Sequence, residues 1–342
     1  MSRLRPFLLT LIAALLAFNT SLARADGPPT YGAELEGFTY PFPVQRFSFM
    51  SQRQSVQMAY MELPAEQPNG RVVVLMHGKN FCGATWEGTM RFLSAQGYRV
   101  IATDQIGFCK SSKPASYQYS FQQLAHNTRL LLEHLGVRRA ILMGHSTGGM
   151  LATRYALLFP DQVEQLVMVN PIGLEDWKAE GVPTLTIDQW YARELSVTDE
   201  RIRNYERSTY YVNEWRSEYE VWVQMLAGMF RGSGRETVAW HSALVYDMIF
   251  NQPVLYEFAN LRMPTLLLIG DKDNTAIGKD LASPEVRARL GNYPKLAERT
   301  AAHIPHSHLV RFPDLGHAPQ MQDPERFHRA LADGLARAER NH

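Results

Sequence analysis

Apolar residues fall along the chain in two rhythms, short runs and helical spacings, and these take turns. Val44 to Met50 and Ser55 to Leu63 read as strands, the second with Val56, Met58 and Tyr60 on one side. Gln67-Pro68-Asn69-Gly70 is a turn. The run Arg71 to Met76 is apolar after its first residue, as a parallel strand buried on both faces requires. Thr85 to Gln96 has helical spacing and stops at Gly97; Phe121 to Leu135 does the same and stops at Gly136. Val100 to Thr103, Ala140 to Met143, Val163 to Val169, Thr265 to Ile269 and His308 to Phe312 are further strands, with a helix over Gly148 to Phe159. Pro324 to Ala338 is a closing helix, with Asp323 as its N-cap and Pro at the first helical position. The pattern predicts an α/β fold, a mostly parallel central sheet flanked by helices.

Residues 171–258 break the alternation. They hold Trp177, Trp190, Trp215, Trp222 and Trp240, five of the six Trp, with no clear buried strand. Trp215, Tyr219, Trp222, Val223 and Leu226 recur at helical spacing. This stretch is expected to be a helical cap inserted in a core of residues 26–170 and 259–342. Its aromatics serve both as its own core and as pocket lining. The first segment reads differently again. Arg3 and Arg5 precede the uncharged stretch Phe7 to Phe18, and Ala23-Arg24-Ala25 offers small residues where a signal peptidase reads them. The apolar run is shorter than the roughly 20 residues a spanning helix needs. Residues 1–25 are therefore expected to be a cleaved signal peptide, and the protein exported, to the periplasm or beyond.

Composition adds exclusions. The 342 residues carry 35 Lys+Arg against 34 Asp+Glu, 45% hydrophobic and 20% charged, values that argue against disorder. Near-neutral charge offers no electrostatic case for nucleic acid as a partner. Only two Cys rule out a disulfide-framework miniprotein. No segment after the first is apolar enough to span a membrane, so no stable membrane insertion is expected after cleavage.

The chemistry concentrates in Gly144-His145-Ser146-Thr147-Gly148-Gly149, between a predicted strand and a predicted helix. A G-x-S-x-G there is a nucleophile elbow: small flanking residues permit a tight turn that exposes the hydroxyl at a helix N-terminus. A phosphate loop would need a following Lys-Ser/Thr, which is absent. Around it stand His77-Gly78-Lys79-Asn80-Phe81, Asp104-Gln105-Ile106-Gly107-Phe108, Gly270-Asp271-Lys272-Asp273 and Leu315-Gly316-His317-Ala318-Pro319. With these motifs in this order, the chain over roughly residues 45–338 resembles the α/β-hydrolase fold superfamily. It looks most like the capped, epoxide-hydrolase-like and haloalkane-dehalogenase-like branch.

The resemblance implies a Ser-His-Asp triad: Ser146 as nucleophile, His317 as base, and an acid between them in chain order. Asp273 and Asp271 both qualify by position; the family spacing favours Asp273. The oxyanion hole is expected from backbone N–H groups of Thr147 and of Lys79, with Asn80 as the near alternative. His77 is expected to prop neighbouring loops, and His145 to shape the turn. Dehalogenases and epoxide hydrolases of this fold use Asp at the elbow; Ser146 instead implies an acyl-enzyme. Cys109 stands where the family motif has Gly. In this fold the loops holding Cys82 and Cys109 are neighbours, so an exported chain can bridge them. Such a bridge would close a loop of about 27 residues, worth roughly 3–4 kcal/mol.

His303, His306 and His308 match no zinc spacing, so no metal and no cofactor are expected. The reading is an exported serine hydrolase acting on small to medium, partly apolar, ester-like substrates. A C–C bond hydrolase or lactonase, a cofactor-free perhydrolase and a non-catalytic binding protein on the same scaffold are the alternatives. Substrate profiling separates a C–C bond hydrolase or lactonase from an esterase, a perhydrolase would need acetate-dependent peroxide activation, and an intact triad argues against the last. Oligomeric state is not legible.

Overall fold

The computed structural model describes residues 27–340. The expected signal peptide lies outside the described residues. Eight strands form one sheet: β1 (Val44–Ser51), β2 (Gln54–Leu63), β3 (Val72–Met76), β4 (Arg99–Thr103), β5 (Ala140–His145), β6 (Val163–Val169), β7 (Thr265–Gly270) and β8 (Ser307–Phe312), in spatial order β1-β2-β4-β3-β5-β6-β7-β8. β1 and β2 form a hairpin whose loop residues, Gln52 and Arg53, both have positive φ, the turn that matches strand twist. β2 pairs antiparallel with β4, and every later pairing is parallel.

The chain leaves β3 first to one side, for β4, and then returns to the other, for β5. Such a reversal opens a crevice at the C-terminal ends of the strands, where open α/β sheets bind ligands. His77, Asp104 and Ser146 directly follow β3, β4 and β5. The continuous apolar runs are buried as expected: β5 and β7 have no exposed residue.

Helices cover both faces. α1 (Glu87–Ala95) and α11 (Pro324–Arg340), the latter preceded by the short α10 (Pro319–Gln322), pack on one side; α2 (Phe121–His134) and α3 (Thr147–Leu158) pack on the other. Helix α1 starts later than its spacing suggested, because Gly83–Trp86 form a separate tight turn. Asp323 does cap α11: its Oδ1 accepts from Arg326 N at 3.1 Å. Between β6 and β7 the described chain is helical, with α4 (Ile187–Leu195), α5 (Asp199–Tyr205), a π-helical turn over Glu206–Tyr210, α6 (Glu220–Arg231) and α7 (Arg235–Asn251). Two helices that the sequence reading did not place, α8 (Pro284–Arg289) and α9 (Tyr293–His303), join β7 to β8. Their polar faces and short lengths weaken the periodic signal. No described helix is long and apolar enough to cross a membrane.

Candidate active site

Ser146 sits at φ 57°, ψ −121°, between the last residue of β5 and the first of α3. A non-glycine residue at positive φ is strained, and such strain gathers at functional positions. Three contacts hold it there. A Cβ on Gly144 would lie 2.1 Å from the Gly148 carbonyl, and one on Gly148 would lie 2.2 Å from the Met76 carbonyl. Gly78 packs against the Ser146 side chain itself; a Cβ there would lie 3.0 Å from Ser146 Cβ. The Thr147 and Gly148 N–H groups at the start of α3 have no intrahelical acceptor and so add positive potential beside the hydroxyl.

His317 and Asp273 meet, as the resemblance implied: Nδ1 and Oδ2 are 2.6 Å apart and both side chains are buried. Asp271 is elsewhere, paired with Arg311. Asp273 is further held by groups the sequence reading missed. Asn170, at the end of β6, donates from Nδ2 to Asp273 Oδ2 at 2.9 Å and accepts from Gly270 N at 2.9 Å. Thr275 donates to Oδ1 from both its backbone N (2.8 Å) and its hydroxyl (2.6 Å). With the imidazole, the carboxylate thus receives four hydrogen bonds, which fixes its rotamer.

His145 and His77 hold neighbouring loops. His145 Nε2 donates to the His317 carbonyl at 2.7 Å, so the residue before Ser146 ties down the loop bearing His317. Burial, and then the neighbouring His317, keep the His145 ring neutral by holding its pKa well below the usual imidazole value. That neutral ring lies between Phe81, stacked at 5.7 Å, and Trp86. His77 spans two loops: Nδ1 donates to Gly78 O at 2.8 Å and Nε2 accepts from Gln105 N at 3.1 Å. Burial lowers its pKa too, which suits the acceptor role. His303 donates locally, to Arg299 O. Among the described residues the one close group of three metal-type ligands is Cys82, Asp104 and Cys109. Its two thiols are joined to each other as a disulfide, with Cα atoms 5.9 Å apart.

The segment between β6 and β7 reaches the site directly. Thr209 O accepts from His317 N at 3.2 Å, and a Cβ on Gly316 would collide with the Thr209 and Tyr210 carbonyls. The Tyr210 ring lies 4.9 Å from the His317 ring, and its hydroxyl accepts from Asn80 Nδ2 at 3.1 Å. A cavity of about 620 Å³ lies between this segment and the loops after β3, β4 and β7. Lys79, Asn80 and Phe81 form part of its wall, as do Asn274 and Thr275 beside Asp273; Ser146 and His317 are not on the wall. Lys79 points into the insertion, where its Nζ lies 3.3 Å from Glu194 and 3.8 Å from the Tyr246 ring centre. The Lys79 side chain is thus engaged by the insertion rather than by the loop that bears Ser146.

Comparison with known proteins fits this geometry. A family model described as alpha/beta hydrolase fold matches residues 71–324. A solved structure of a probable hydrolytic enzyme from Pseudomonas aeruginosa PAO1 is 64% identical, with a TM-score of 0.90, covering 90% of this chain and 99% of that one. Bifunctional epoxide hydrolase 2 of Sus scrofa is 24% identical over 81% of this chain, which spans only 53% of that protein. A 2-hydroxymuconate semialdehyde hydrolase of Pseudomonas putida is 26% identical over 81% of this chain and 91% of its own length.

Proposed function

From the chain's membership of the alpha/beta hydrolase fold family, and so from its being a hydrolase, we propose that it cleaves carboxylic esters through an acyl-enzyme on Ser146. The observation that carries this is the Ser146 elbow beside the buried His317–Asp273 pair. Asp273 binds Nδ1–H and so presents the lone pair of Nε2 as the base. His317 takes the Ser146 proton as Oγ bonds to the ester carbonyl carbon. The oxygen that becomes negative receives the Thr147 and Lys79 backbone N–H groups. As the tetrahedral centre collapses, the imidazolium gives its proton to the leaving alkoxide. Water then enters, His317 takes its proton, and the acid leaves Ser146 with its hydroxyl restored.

The helices between β6 and β7 act as a cap that sizes the substrate, and apolar side chains such as Trp190, Leu226 and Phe230 favour a partly apolar one. Residues 1–25 direct export, and no cofactor takes part. The test is hydrolysis of p-nitrophenyl esters of graded acyl length by the wild type and by Ser146→Ala. Turnover by the wild type with a loss of about a thousandfold or more in the variant supports the reading. Equal rates in both sink it. The second reading keeps the triad and changes the substrate. The Pseudomonas putida relative is named for 2-hydroxymuconate semialdehyde, so that compound belongs in the same assay.

A further inference from the structure

The cavity wall carries more positive charge than its own acids neutralise. It presents Lys79, Lys113, Arg193, Arg201, Lys279 and Arg287 against two acids, Glu194 and Asp280. Both acids are engaged: Glu194 by Lys79 and by the Ser242 hydroxyl, Asp280 by Arg193. Arg201 and Arg287 are exposed, where water screens them, and Lys279 and Arg287 donate to main-chain carbonyls.

Lys113 is placed differently. It lines the cavity beside the Cys82–Cys109 bridge, among Phe108, Met229, Phe230 and Val238. Its Nζ donates to Cys109 O at 2.8 Å and Ser111 O at 3.4 Å, and it makes no ion pair among the described residues. An ammonium has three donors, so it has capacity for a further acceptor. Burial pushes this ammonium down to about 8. The acids whose field reaches it, Glu34, Asp104 and Glu36, form no ion pair with it among the described residues. Asp104 accepts from Tyr40 Oη, Gly83 N and Lys110 N; Glu34 pairs with Arg46; Glu36 accepts from Glu34 N. A cation in a largely apolar wall with no acid in direct contact is costly, and an anion arriving there relieves part of that cost. A low-dielectric cleft lined mainly by one sign of charge also concentrates ligands of the other sign.

We propose that the substrate carries, besides its scissile group, a carboxylate that Lys113 receives inside the cavity. The scissile end rests on the esterase reading; the anion site stands on the cavity wall alone, and its test separates the two. Ser146→Ala protein, which turns nothing over, is titrated calorimetrically with adipate and with dimethyl adipate. Saturable binding of adipate, weakened about tenfold or more by adding Lys113→Met and kept by Lys113→Arg, is the expected result. No saturable binding of adipate, or equal binding with and without Lys113→Met, overturns the proposal, whatever the esterase assay gives. Thermal melts of each variant exclude loss of folding as the cause. In the catalytic protein, the kcat/KM ratio of the p-nitrophenyl monoester of adipic acid to p-nitrophenyl hexanoate is expected about tenfold above one, and near one in Lys113→Met. A wild-type ratio at or below one contradicts the proposal.

Discussion

Asn170 shows how one side chain joins two strands at a single carboxylate. It has φ 36°, and its amide holds both Asp273 and the main chain of Gly270 at the end of β7. Replacing it by Ala leaves a buried backbone N–H and a carboxylate oxygen each short of a partner. Asn170→Ala is therefore expected to cost about 1–3 kcal/mol of stability by urea unfolding. It should lower kcat more than it changes KM, because the His317 ring loses its fixed orientation. Unchanged stability and kcat would show that the amide does neither job. No motif around Asn170 announced this role; the signal was its place at the end of a strand, next to the acid-bearing strand. The resemblance pointed to Asp273 and His317, and the fold brings these two side chains together. His145 was legible as part of the elbow but not as the clamp on His317, because its partner lies 172 residues away.

The π-helical turn Glu206–Tyr210 connects the insertion to His317. A π turn inserts an extra residue into the helical ladder and frequently marks a functional position. Here it places the Thr209 carbonyl on His317 N and the Tyr210 ring on the imidazole. Glu206, within that turn, is fully buried, and neither carboxylate oxygen has a hydrogen-bond partner. Burial, and secondarily Glu220, raise its pKa from 4.5 to about 8. The folded protein thus keeps the proton over a range in which the unfolded chain releases it. The group's contribution to stability is undiminished below about 4.5 and falls as pH rises toward 8. Glu206→Gln removes this dependence. Its stability relative to the wild type is expected to rise between pH 5 and pH 8, measured by urea unfolding at both. A constant difference would mean that Glu206 ionises normally in the fold. The periodicity of residues 171–258 indicated helix but could not show a π turn, whose extra residue has no compositional mark.

Across the whole molecule, a short arm before β1 ties the insertion to the sheet. Tyr31 N donates to Gly228 O at 2.9 Å, and Arg231 binds Pro29 O. Glycine is required where the arm crosses the helices: a Cβ on Gly228 would lie 2.3 Å from the Tyr31 ring, and one on Gly234 would lie 2.5 Å from Ala33 Cβ. Farther along, Lys110 Nζ reaches Leu35 O at 2.9 Å, and Tyr40 Oη donates to Asp104 at 2.6 Å. Cleavage after Ala25 would leave this arm intact. A chain shortened to start at Gly37 is expected to melt several degrees lower and to be cut by protease first within residues 187–251, because the insertion loses its tie. An unchanged melting temperature and cleavage pattern would assign the arm no such role.

The parallel sheet, the order of its loops and the elbow could be read from residue order alone. Buried parallel strands require continuous apolar runs, and a strained turn requires glycines at fixed offsets, so both leave local marks. Only the folded chain decided which groups hold Asp273, how the insertion grips His317, and which cations of the cavity wall lack a counter-ion. These depend on residues distant in sequence meeting in space, and hydrogen bonding and charge pairing between them leave no periodic trace along the chain.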